Sequence, residues 1–234
     1  MITKLGMLFS DWSRKRRAKI FHYYLRPTEK DRILDLGSED GRHIASIIPF
    51  RENVFIADID QESLLRGEEK YGFKKVLLDE VGRIPFEDKY FDIVYCNSVI
   101  EHVGIDKAQQ WSVKDGKEFS QMAFNRQCDF ASEIRRVGKK YFVQTPNKNF
   151  VLESHTWLPL VQFLPRPTLI KIIRWLNKWW IKKTVPDWNL LTEQQMKELF
   201  PHSIIVEEKF LGLTKSLIAI RNFDLQKSEV SSIG

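Results

Sequence analysis

Short apolar runs alternate with longer amphipathic stretches along the first two thirds of the chain. RILDLG (32–37), NVFIAD (53–58), KKVLLD (74–79), FDIVYCN (91–97) and KYFVQT (140–145) are rich in Val, Ile and Phe. Runs of this length and composition predict strands buried on both faces of a parallel sheet. Residues 41–48, 61–71 and 121–136 predict the helices between them. Around the last of these, Phe119, Ala123, Phe130, Ile134 and Val137 recur at helical spacing. Residues 192–199 (TEQQMKEL) predict a further helix, and SIIVEEKF and KSLIAIR a closing antiparallel pair of strands. The expectation is an α/β fold: a doubly wound, mostly parallel seven-stranded sheet with helices on both faces, residues 1–234 forming one domain.

Two regions break the alternation. Residues 104–120 are polar and read as a loop or lid after the fourth strand. Residues 150–186 carry Pro159, Pro165, Pro167 and Pro186 with Trp157, Trp175, Trp179 and Trp180, and read as a helical insertion after the fifth strand. From 154 to 186 this insertion has no Asp or Glu. Within it, residues 168–183 predict a helix with Leu169, Ile172, Ile173, Leu176, Trp179 and Trp180 on one side and Lys171, Arg174, Lys178 and Lys182 on the other. Such a helix either packs its apolar side as a lid or lies in a membrane interface.

Composition adds less. A hydrophobic fraction of 43% supports a packed core, and the net charge of +6 allows anionic partners without pointing to nucleic acid. The basic run Arg14, Lys15, Arg16 and Arg17 reads as a solvated helix face, or else as a contact for an anionic acceptor. Cys96 and Cys128 are far apart and match no redox or metal spacing, which suits a reducing compartment. The first residues lack the apolar centre of a secretory signal, and no apolar run reaches the ~18–20 residues that span a bilayer. These features predict a cytoplasmic protein, with peripheral contact at the inner membrane face through 168–183 as an open option.

The first strand runs into DLGSEDGRH, where Gly37 and Gly41 bracket a turn that opens a helix. Such a turn at a strand end is where an open α/β sheet binds a nucleotide-like ligand, and Asp58, about twenty residues on, stands where an acid takes ribose hydroxyls. A nicotinamide-dependent oxidoreductase would cradle a pyrophosphate here. Glu39 and Asp40 would repel it.

In order along the chain, DLGSEDGRH, IADID, LLDEVGRIPFEDKYFDIVYCNSVIEHV and EIRRVGKKYFVQTPN resemble the motifs of class I S-adenosylmethionine (SAM)-dependent methyltransferases, over roughly residues 20–147. SAM carries a sulfonium and an ammonium and no phosphate, so an acidic loop suits it. The resemblance implies that Asp35 and Gly37 line the methionine end and that Gly41 lets the helix approach. It implies that Asp58 and Ile59 border the ribose, that Asp79 meets the adenine amino group beside Leu78 or Glu80, and that Asn97 and Ser98 lie under the sulfonium. Glu39 stands where the family usually has a second glycine, and that departure keeps a non-catalytic SAM-binding module in play.

The resemblance implies methyl transfer to a small-molecule, glycan or lipid-linked acceptor, at oxygen. The insertion 150–186 would serve the acceptor side. His102, after Glu101, and His155, beside Glu153, are the candidate catalytic bases, since both can titrate near neutral pH. The five histidines show no ligand spacing, so no metal site is predicted from sequence.

Overall fold

The computed structural model describes residues 2–79, 83–180 and 182–222, with side chains of the first helix from Trp12 onward. The chain order is α1 (Ile2–Leu25), β1 (Ile33–Leu36), α2 (Arg42–Ile47), β2 (Val54–Asp58), α3 (Gln61–Tyr71), β3 (Lys74–Leu77) and β4 (Phe91–Asn97). There follow α4 (Gly116–Val137), β5 (Gly138–Pro146), α5 (Arg166–Trp179), α6 (Glu193–Leu199), β6 (Ile204–Phe210) and β7 (Leu213–Arg221). The seven strands form one sheet in the order β3-β2-β1-β4-β5-β7-β6. β1 to β5 run parallel, and β7 lies antiparallel to both β5 and β6. The strand order reverses between β1 and β4, and the carboxyl ends of those two strands flank a crevice.

Alternation along each strand splits the core in two. Leu34, Val94, Cys96, Tyr141 and Val143 pack under Phe130 and Ile134 of α4 and Met196 and Leu199 of α6. Ile33, Ile56, Ile93, Tyr95 and Phe142 pack on the other face under Phe21 of α1, Ile44 of α2 and Leu64 of α3. Both faces are dry, which is why the strands read as continuous apolar runs.

Local signals set the helix ends. Asp60 caps α3 by accepting from the Glu62 amide, and Thr192 and Gln195 form a capping box on α6. Asp115 accepts from the amides of Lys117 and Glu118, so α4 begins at Gly116. The polar segment expected as a loop to residue 120 therefore ends at 115, because its side chain cap starts the helix a turn early.

The basic N-terminal run also departs from expectation. Ser13, Arg17, Phe21 and Leu25, four residues apart, are all buried where α1 crosses the sheet. Arg17 is not solvated: its Nη1 donates to Asn97 Oδ1 at 2.8 Å and to Gln144 Oε1 at 2.7 Å.

The insertion has a small core of its own. Leu169 and Ile173 of α5 pack with Val161, Trp188 and Leu190, against Trp111 and Leu158. The apolar side of α5 is Leu169, Ile170, Ile173 and Leu176, while Ile172 is half-buried. Trp179, on the apolar side by sequence, is 78% exposed, and Trp175 is 63% exposed. Among the described residues no helix is long and apolar enough to cross a membrane.

Candidate active site

The glycine turn sits at the carboxyl end of β1. Gly37 has φ 73°, and a Cβ there would lie 2.5 Å from a methyl of Val99, so the turn needs glycine for both conformation and space. Gly41 has φ 68°, and a Cβ would meet the Phe73 ring at 2.8 Å, so α2 presses onto β2 only without one. Glu39, between them, also adopts a positive φ of 52°. The family's usual glycine at this position thus has a backbone reason, and this chain meets the same geometry with a strained Glu.

Asp58 at the end of β2 accepts from the Glu39 amide through Oδ2 (2.9 Å) and from the Asp60 amide through Oδ1 (3.1 Å). The residue expected to bind ribose thus also braces the glycine loop. Ile59 beside it is an exposed apolar side chain. Leu78 is half-buried and Asp79 exposed at the end of β3, and Glu80 lies outside the described residues. Asn97 ends β4 and Ser98 follows it, in the left-handed region (φ 58°) and donating through Oγ to Gln144 Oε1.

The loop holds polar atoms that await a partner. Asp35 Oδ2, Ser38 Oγ and His43 Nδ1 are buried and have no hydrogen-bond partner. Burial, reinforced by the charge of Asp58, pushes the Asp35 carboxyl up to about 8. Burial, with the charges of Arg17 and Arg14, pushes His43 down to about 4, so it stays neutral. An orphaned carboxyl at the crevice suits an ammonium, and hydroxyl and imidazole suit a carboxylate. The set therefore fits the amino-acid end of SAM. Asp40 is ionised: burial opposes this, but hydrogen bonds and charge from Arg42, with Lys70 nearby, hold it below the usual carboxylate range. That charge disfavours a pyrophosphate.

Beyond β4 the structure brings His102 and His155 together. His102 ends a short 3-10 turn (Ile100–His102) whose backbone is clamped by buried Gln127 of α4, which donates to the carbonyls of Ile100 and Asn189. The two Nε2 atoms lie 3.1 Å apart. His102 Nδ1 meets Asp187 Oδ2 at 3.1 Å, and His155 Nδ1 meets Glu153 Oε1 at 2.6 Å. Glu153 is itself fixed by the amides of His155 and Thr156 and by the Thr156 hydroxyl. Trp188 stacks on the His155 ring at 5.3 Å. Buried Glu101 accepts from Thr145 through Oε2, while its Oε1 is unpartnered. Burial works to lower the pKa of His102, but the bond to Asp187 and the charges of Glu101, Asp187 and Glu153 outweigh it and hold it above the ordinary value.

A cleft of about 650 Å³ adjoins this cluster, with Trp188 in its wall. Lys114, Lys117, Lys148 and Arg166 line it, with Asp115 the one acid. Arg166 stitches the insertion to the segment after β4: it donates to the carbonyls of Val113, Gln110 and Pro186 and lies over Phe119. The sequence puts Arg17 in a basic run without marking its inward role, and it does not mark Gln144 or Asp187. The four-residue spacing of Ser13, Arg17, Phe21 and Leu25 was a usable signal for the first, whereas nothing local marks the other two.

The sheet order is that of a Rossmann-like fold, with its crevice at the carboxyl ends of β1 and β4. Residues 34–114 match the model of a methyltransferase domain. A Pyrococcus horikoshii protein shares the fold at 18% identity (TM-score 0.50), covering 87% of this chain and 86% of that one. So does magnesium protoporphyrin IX methyltransferase from Synechocystis, solved with bound SAH, at 10% identity (TM-score 0.53; 95% and 88%). A Haloferax volcanii putative methyltransferase, solved with the Trm112 activator, is similar at 12% identity (TM-score 0.50; 91% and 96%). No curated protein matches the sequence. Residues 34–114 form a methyltransferase domain, on a fold shared with a methyltransferase that binds SAH, the product of S-adenosylmethionine.

Proposed function

We propose that the methyl group goes to a hydroxyl oxygen of an anionic, lipid-linked acceptor that reaches the cofactor past His102 and His155. The carboxylate-backed histidine pair carries this reading. S-adenosylmethionine supplies an electrophilic methyl group when bound. When each Nδ1 donates to its carboxylate, the two Nε2 atoms, 3.1 Å apart, face each other lone pair to lone pair. Uptake of one proton turns that repulsion into a hydrogen bond, and nearby carboxylates balance the charge. The pair is therefore built to receive the proton that a hydroxyl gives up as its oxygen is methylated.

Acceptor class follows from charge and exposure. The cleft beside Trp188 is basic, which suits a phosphate or carboxylate on the acceptor. On the outer side of α5, exposed Trp175 and Trp179 stand with Lys171, Arg174 and Lys178, a pairing that suits an anionic membrane surface. Asp35, Gly37, Gly41, Asp58, Ile59, Leu78, Asp79, Asn97 and Ser98 hold the cofactor in this reading, with Glu39 contributing its backbone to the loop. Residues 150–186 serve the acceptor.

Incubation of the protein with methyl-labelled SAM and a cell extract tests the proposal. Label is expected in the lipid fraction. His102→Gln and His155→Gln should each lower transfer by roughly 10²–10⁴-fold, the usual worth of a general base, with SAM affinity unchanged. Label in soluble sugars or metabolites alone would refute the lipid-linked acceptor. Full transfer by both variants would refute the role of the pair.

A further inference from the structure

We infer that Glu101, His102 and His155 form a binding site for one divalent transition-metal ion of the zinc type. Each of the three offers a ligand atom, and these atoms lie within 4.8 Å of one another. The inference deepens the reading of the histidine pair and rests on it only for what the ion does in transfer, not for the site itself.

Four features separate this cluster from a chance grouping. The two Nε2 atoms are 3.1 Å apart, close to the separation of two imidazole nitrogens bound at ~2.0–2.1 Å to one tetrahedral ion. Each ring's other nitrogen meets a carboxylate, Asp187 or Glu153. That is how metal-bound histidines are oriented and kept in the right tautomer. Glu101 Oε1 is buried without a partner, so its carboxylate has an unused lone pair in the dry interior. Finally, Trp188 stacked on His155 and the clamp of Gln127 hold the ligands in place before any ion arrives.

Two histidines and one glutamate give three protein ligands and leave a fourth position open. Such a site takes an oxygen ligand from outside, here the hydroxyl of the acceptor. An ion there would lower the pKa of the hydroxyl, whose proton would pass to solvent as the methyl leaves the sulfonium for the oxygen, and the histidines would serve as ligands in place of free bases. No ligand spacing betrays the set, because 53 residues separate the two histidines and only the fold joins them.

The test uses the full chain, stripped with chelator and titrated with Zn²⁺ and, for spectroscopy, Co²⁺. One equivalent should bind, and Co²⁺ should show the intense visible bands of a four-coordinate site. Asp187→Asn should weaken binding by roughly 10–100-fold, as loss of a carboxylate behind a ligating histidine does. His102→Ala and His155→Ala should weaken it further, and His202→Asn on the surface should leave it unchanged. SAM affinity of each variant reports that it is folded, which guards against loss of binding by unfolding. No saturable site, or equal binding by wild type and both histidine variants, would overturn the inference. The role in transfer is read apart from this: metal binding that fails while His102→Gln still loses turnover leaves the proton-accepting pair standing. A site that binds metal while both Gln variants turn over fully removes the catalytic role and keeps the site.

Discussion

Asp35 sits buried at the carboxyl end of β1, beside the glycine turn. Its carboxyl is buried, unpartnered and pushed up to about 8, chiefly by burial and further by Asp58. The folded state therefore holds a proton that the unfolded chain releases near the ordinary carboxylate pKa. A group raised in this way stabilises the free protein fully below its unfolded pKa, and that contribution is lost as pH rises through about 8. An ammonium placed beside Asp35 favours the ionised form, so SAM binding near pH 7 should release a proton. Calorimetry in two buffers of different ionisation heat reads this directly. Asp35→Asn should abolish the release, and a wild-type protein that releases none would show that Asp35 does not face the methionine end. Glu39 carries a different lesson at this scale. Its positive φ explains why a glycine is usual there, and its amide's bond to Asp58 shows that the loop is formed nonetheless.

At the scale of elements, α5 has two unlike faces with separable consequences. Ile173 is fully buried in the insertion's small core, so Ile173→Ala should cost about 2–4 kcal/mol of stability. Trp179 is mostly exposed, so Trp179→Glu should change stability by less than about 0.5 kcal/mol. If α5 meets an anionic membrane, Trp179→Glu should weaken binding to anionic vesicles, and salt should weaken it further. Chemical denaturation and vesicle co-sedimentation separate the two. A Trp179→Glu protein that binds vesicles as wild type does would remove α5 from the membrane reading. The helical period of 168–183 shows an amphipathic helix with Trp179 on its apolar side but leaves open which part of that side is packed. Which part of the apolar arc is covered depends on Trp188 and Leu190, which arrive from beyond the helix.

At the scale of the whole molecule, a ligand that binds only the folded state stabilises it by mass action. SAM at about a hundredfold excess over its Kd adds about 2.7 kcal/mol, worth roughly 5–10 °C in Tm for a chain of this size. NAD should give no shift, because the acidic residues Glu39 and Asp40 in the loop disfavour a pyrophosphate there. An NAD shift equal to that of SAM would overturn the argument from loop charge.

The strands, the hairpin, the glycine turn and the place of Asp58 at the end of β2 are legible in neighbouring residues: an apolar run, a cap, or a residue at fixed distance from a strand end. Local chemistry suffices for features whose partners lie within one βα unit. No local pattern shows that Arg17 turns inward to Asn97 and Gln144, or that His102 meets His155 with Asp187 and Glu153 behind them. Those contacts join residues from different parts of the chain across the carboxyl end of the sheet. They depend on how α1 and the insertion close over that end, which no local period encodes.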